Sequence, residues 1–258
     1  MNDSPAQLRL AALLGLASAI ATALLFPYAL ALQPDALALA QAATGRPAWA
    51  IVALQAAQGG VLCLLLGWAG LKLGAPLGLG APWLAAWLYG RPRPPASAWW
   101  QAVALGVAAA LLVLGAIALF GPPLPSATPT PAVSVAFALK GLLASPYGAI
   151  VEEIMLRVFV MGVVAWLLSR LSRGQPRAWV MLAALVVAAL VFGAGHLPAA
   201  AQLAPLTGEL VLRVIAYNML AGLVFGWLYW KRGLEHAMLA HLCADLVLHV
   251  AAPLAGGA

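Results

Sequence analysis

Long apolar runs, almost empty of charge, recur through this chain and restrict its fold more than any motif. They cover residues 10–32, 49–71, 99–120, 132–168, 179–196 and beyond, 210–230 and 234–254. A bilayer core about 30 Å thick needs roughly 20 apolar helical residues to cross it. None of the runs alternates apolar with polar residues as a lipid-facing barrel strand does. The expected fold is therefore all-α, a polytopic helical membrane protein. Only 8% of the chain is charged, where a soluble domain carries roughly 25%, so a soluble enzyme, a disordered chain and a secreted disulfide scaffold are all excluded. The net charge of +6 does not point to nucleic acid, because the cations sit in short loops and set orientation. Cys63 and Cys243 lie inside apolar runs and read as small buried hydrophobes.

The run at 132–168 exceeds one span and carries Pro146, so it is either one long, broken crossing or two. Charge favours one. With the N-terminus inside, the inner loops hold Arg9, Lys72, Arg91, Arg93, Arg170, Arg173, Arg177, Lys231 and Arg232, and the outer loops hold Arg46 and Arg213. That reading gives about seven spans, with eight as the alternative. The first run exceeds a signal-peptide core and reads as an anchor. Residues 73–90, rich in Gly, Pro and Trp and flanked by cations, read as an interfacial segment. The stretch GPPLPSATPTP at 121–131 reads as a structureless connector. Residues 1–131 are thus N-terminal spans without a motif, and 132–258 hold the polar residues, within one structural domain.

An ionisable side chain inside hydrocarbon costs about 2.5–3.5 kcal/mol or more, which makes each a functional candidate. Glu152, Glu153 and Arg157 lie in SPYGAIVEEIMLRVF. Helical spacing pairs Glu153 with Arg157 and turns Glu152 about 100° away, free to act elsewhere. His196 follows Phe192 by one turn in VFGAGHLP, and His241 precedes Asp245 by one turn in MLAHLCADLVLHV. His249 is expected near the far membrane end in a solvated role, His236 at the interface, and Lys140 snorkelling. A structural charge cluster or an interhelical clasp would explain any of these singly. Jointly, a bare carboxylate and two imidazoles on three spans can activate a water and hold an oxyanion. The set Glu152, His196 and His241 also suits a catalytic zinc with an open position.

These residues carry a family resemblance. E-E-x-x-x-R (Glu152, Glu153, Arg157), F-x-x-x-H (Phe192, His196) and H-x-x-x-[N/D] (His241, Asp245), in order on successive apolar segments, resemble the CPBP family of CAAX-protease and bacteriocin-processing-type (Abi-like) intramembrane endopeptidases. GLVFGWLYWKRGLEHAMLAHLCAD resembles the approach to the third motif, and its Gly222 and Gly226 form a close-packing G-x-x-x-G. The resemblance runs from about residue 132 to the C-terminus. It implies Glu152 as general base on water, helped by His196. It implies His241 and Asp245 at the scissile carbonyl and oxyanion, with Glu153 and Arg157 organising the site. The prenyl-protein branch has asparagine where this chain has Asp245, and an ionised carboxylate cannot donate to an oxyanion. Asp245 must then be protonated, orient His241 or bind a metal. A divalent metal such as zinc, or none, is left open.

The function expected is hydrolysis of a peptide bond in a membrane-embedded or lipid-modified substrate, by a multi-pass protein of a bacterial inner membrane, with the bilayer and no nucleic acid as its surroundings. The alternatives are a transporter or proton relay built on Glu152, His196 and Asp245, or an inactive scaffold. Depth counting raises a conflict. At about 1.5 Å per residue from the inner cations, Glu152 and His196 lie about 27–29 Å deep and His241 only about 14 Å. They meet only if the fourth and fifth helices project well into the cytoplasm or a span boundary lies elsewhere.

Overall fold

The computed structural model describes residues 4–122 and 131–255, so most of the Pro/Thr-rich connector lies outside the described residues. Those residues form helices and no strand. Seven helices are long and apolar enough to cross a bilayer: Pro5–Leu32, Ala48–Leu77, Trp99–Phe120, Val135–Ser172, Ala178–Leu203, Gly208–Arg232 and Leu234–Leu254. The chain is an all-α polytopic membrane protein. Large apolar side chains such as Leu16, Leu112, Leu119 and Leu212 stand on its outside, as they do where acyl chains replace water as the solvent.

In chain order the elements begin with α1 (Ser4–Leu32), α2 (Ala36–Thr44), α3 (Ala48–Gly74), α4 (Pro82–Tyr89) and α5 (Trp99–Phe120). α6 (Pro131–Tyr147) runs through two wide-turned segments, Gly148–Glu152 and Ile154–Met161, into α7 (Gly162–Ser169). There follow α8 (Ala178–Gly195), α9 (Leu197–Leu203), α10 (Gly208–Arg232) and α11 (Leu234–Asp245), which continues through Leu246–Ala251 into α12 (Ala252–Leu254).

The fourth span does not break at Pro146. Proline removes one backbone donor and its ring crowds the carbonyl one turn back. The α-helix carries Pro146 within its last turn, continues through i→i+5 hydrogen bonds over Gly148–Glu152 and Ile154–Met161, and stays one continuous 38-residue element from Val135 to Ser172. It crosses once, as the charge bias requires.

Small residues let these helices approach closely. Gly15 and Gly60 bring α1 onto α3, Gly70 meets the carbonyl of Val158, and Gly106 meets that of Ala240. Gly222 packs on Phe192 and Ala189, and Gly226 on Leu185, so the G-x-x-x-G pair seats α10 on α8. α10 starts at Thr207, whose hydroxyl accepts from the Leu210 N–H at 3.2 Å, with Glu209 in the first turn and Lys231 and Arg232 in the last.

α10 stops at Gly233, where φ is 98°, a value open to glycine at little cost. Residues 75–90 then cover the turn between α10 and α11. The Leu234 N–H donates to Gly80 O at 3.0 Å, and Glu235 Oε1 accepts from the Leu84 N–H at 2.7 Å. The eight-residue α4 is too short to cross a bilayer, and it is pinned by these bonds and by Tyr89 donating to Ala6 O rather than simply lying on the surface. His236, three residues past that turn, is buried among protein side chains and stacks on Trp99 at 4.3 Å and 15°.

The depth conflict resolves as a step in the inner face. His241 is eight residues from the turn at Gly233 and Glu152 is twenty from Ser172. Those counts correspond to about 12 Å and about 30 Å of helix, yet the two side chains meet. The turn after Ser172 therefore projects well past the turn at Gly233.

Candidate active site

The centre of the site is the wide-turned stretch after Pro146. i→i+5 turns insert an extra residue into a helix, rotate the residues beyond the insertion, and recur at functional positions. Here they bring Glu152 and Glu153 both toward α11. Glu153 and Arg157 are fully buried and pair through Oε2 and Nε at 3.3 Å, the i,i+4 contact expected from spacing. The other Glu153 oxygen, Oε1, lies 2.8 Å from His241 Nδ1. A carboxylate oxygen accepts, so Nδ1 carries the proton and donates to Glu153. The tautomer of His241 is thereby set, with Nε2 turned to the opposite side.

Arg157 is held from several directions. Its Nη2 donates to Gly222 O at 3.3 Å, and its guanidinium lies 5.0 Å from the Phe192 ring and 5.5 Å from the Phe225 ring. Phe225 also stacks on His241 at 4.5 Å and 21°, and Phe192 meets the same imidazole edge-on at 5.7 Å. The two phenylalanines thus exclude water from the Arg157–Glu153–His241 line, where low dielectric strengthens each charge interaction.

His241 Nε2 faces two further carboxylates, Glu152 Oε2 at 3.7 Å and Asp245 Oδ1 at 3.6 Å. Glu152 is the more accessible, with 23% of its side chain exposed against 13% for Asp245. These separations are too long for direct hydrogen bonds and suit a small polar group bridging the three atoms. A β-carbon on Gly148 would collide with Asp245 Oδ2 and lie 2.9 Å from His241 Nε2. The bare glycine keeps that space open.

His196 is placed differently. Its Nδ1 donates to the Phe192 carbonyl at 2.8 Å, and its ring meets Phe192 edge-on at 4.9 Å. Phe192 thus touches both His196 and His241, and among the described residues no ion pair joins His196 to Glu152. The expected zinc set of Glu152, His196 and His241 is not gathered: among the described residues no three His, Cys, Asp or Glu side chains are grouped to hold one ion.

Sequence reasoning missed Gly148, Phe225 and Tyr28, and gave His249 a solvated role only. Gly148 stands one helical turn before Glu152, a signal that was available. His249 is half-buried, not simply solvated: its Nδ1 lies 3.2 Å from Tyr28 Oη and its Nε2 lies 3.9 Å from Asp245 Oδ1. Cys63 is buried and Cys243 partly so, both as free thiols.

Residues 134–247 match the model of the Rce1-like family, described as type II CAAX prenyl endopeptidase Rce1-like. Searches of curated proteins and of solved structures gave no significant match. The matched stretch contains Glu152, Glu153, Arg157, His196, His241 and Asp245. Through residues 134–247, a little under half of its length, the chain is similar to the Rce1-like family of type II CAAX prenyl endopeptidases.

Proposed function

We propose that this protein hydrolyses a peptide bond in a membrane-embedded or lipid-modified peptide, using water activated by Glu152 and an oxyanion held by His241. The observation that carries the reading is the convergence of Glu152 and Asp245 on His241 Nε2, at 3.7 and 3.6 Å, with Nδ1 committed to Glu153. Glu152 takes a proton from water as the water oxygen bonds to the carbonyl carbon. In its imidazolium form His241 donates Nδ1–H to Glu153 and Nε2–H to the oxyanion that develops. Collapse of the tetrahedral intermediate breaks the C–N bond, and the proton held by Glu152 passes to the leaving amine. Glu153 and Arg157 touch no reacting atom in this scheme and keep the imidazole aligned. Asp245 lines the carbonyl side of the same space. His196, with Nδ1 bonded to the Phe192 carbonyl, borders the site beside Phe192 and can hold substrate or water through Nε2. Every step in this scheme uses the chain's own residues. The setting is a multi-pass membrane protein of a bacterial inner membrane.

The test is cleavage of a quenched-fluorescent peptide ending in a prenylated CAAX tetrapeptide, with the protein reconstituted in liposomes. Glu152→Ala should abolish cleavage and leave thermal unfolding in detergent unchanged. Cleavage at the wild-type rate by Glu152→Ala would remove Glu152 as the base and this reading with it.

A further inference from the structure

Asp245 has a second imidazole neighbour that the hydrolytic scheme does not use. His241, Asp245 and His249 succeed one another at successive turns of α11 and its wide-turned continuation. Asp245 Oδ1 lies 3.6 Å from His241 Nε2 and 3.9 Å from His249 Nε2. His249 is itself gripped by the first span: Tyr28 Oη lies 3.2 Å from its Nδ1, and the two rings meet edge-on at 5.6 Å and 67°. Tyr28 is in turn packed against Phe137 at 5.0 Å, and Gly141 of α6 closes directly on the His249 backbone.

The partners fix the proton positions. A neutral imidazole has one N–H. If it were on Nδ1, the bare Nε2 would face a carboxylate oxygen, lone pair against lone pair. With Tyr28 donating its hydroxyl to Nδ1, Nε2 carries the proton and faces Asp245 Oδ1 across 3.9 Å, beyond a direct hydrogen bond and within reach through one bridging water, so neither side sets lone pair against lone pair. The other oxygen, Oδ2, is the atom that a β-carbon on Gly148 would strike.

We propose that Tyr28 and His249 are a positioning pair for the Asp245 carboxylate, holding Oδ1 so that Oδ2 faces the space Gly148 leaves open to the substrate carbonyl. The inference rests on the hydrolytic reading and adds to it a contribution from α1. Both residues lie outside the matched segment 134–247, so this part of the site is supplied by the chain beyond that segment.

Two measurements test it on the full-length reconstituted protein. Nitrogen-15 spectra of labelled histidine, with His249 assigned by its loss in His249→Gln, should show Nε2 protonated and Nδ1 accepting a hydrogen bond that Tyr28→Phe removes. A His249 protonated at Nδ1 overturns the proposal. With the prenylated CAAX probe, Tyr28→Phe and His249→Leu should each lower kcat about tenfold, as loss of an orienting partner does, with KM unchanged. His249→Gln, which restores an N–H donor, should recover most of that loss. Unchanged kcat in Tyr28→Phe also overturns the pairing. Cleavage by Glu152→Ala at the wild-type rate defeats the hydrolytic reading instead and leaves the tautomer result standing; if no variant cleaves, the spectrum decides.

Discussion

Gly148→Ala adds one carbon at the centre of the site and nothing elsewhere. On an ordinary helix this exchange stabilises by about 1 kcal/mol, because alanine loses less backbone entropy than glycine. Here the new carbon collides with Asp245 Oδ2 and lies 2.9 Å from His241 Nε2 and 3.4 Å from Asp245 Cγ. Relieving such overpacking costs about 1–3 kcal/mol, so the two effects leave a net change of no more than about 2 kcal/mol. Activity should respond far more. Side chains that must stand in line with a reacting carbonyl would shift by tenths of an ångström or more, and a displacement near 1 Å costs about a hundredfold in rate. The expected result is a folded protein whose unfolding midpoint falls by no more than several degrees, with about a hundredfold lower cleavage of the prenylated CAAX probe. Gly115→Ala is the matched control, since a β-carbon there meets nothing within 4 Å; it should keep full activity. Cleavage by Gly148→Ala within about twofold of wild type would refute the reasoning, because the space beside Asp245 and His241 would then not be where substrate sits.

Arg157→Met strands the Glu153 carboxylate in a fully buried position. Breaking such a pair costs about 3–5 kcal/mol, so the unfolding midpoint in detergent should fall markedly, and Glu153→Gln in the same chain should restore part of it. Glu235→Ala removes the acceptor of the Leu84 N–H. Loss of a charge-assisted bond of about 1.5–3 kcal/mol should speed amide hydrogen exchange across α4, read by mass spectrometry, and leave exchange at residues 148–157 unchanged.

Each span was legible because hydrocarbon tolerates so few alternatives: apolar runs at 99–120 and 234–254 coincide with spans in the structure. The Glu153–Arg157 pair was legible from spacing, since residues four apart meet on almost any helical turn. What could not be read was set by contacts between distant segments. Tyr28 and His249 are far apart in sequence and nothing local marks their meeting. Pro146 announced a disturbance but not its form, because a proline can end a helix, kink it or be carried within it. His236 looked interfacial beside Lys231 and Arg232, and its burial against Trp99 joins segments distant in sequence. Counting along helices misjudged depth because it assumed that neighbouring turns end at one level.

That uneven inner face also limits what can be cut. His241 stands about 12 Å along its helix from the turn at Gly233, and an extended peptide advances about 3.3 Å per residue. Four residues or so of unravelled chain reach it from that end. A substrate tethered by a short tail therefore needs only its last few residues pulled straight, whereas a bond at the middle of a transmembrane helix would demand unwinding several turns within the lipid.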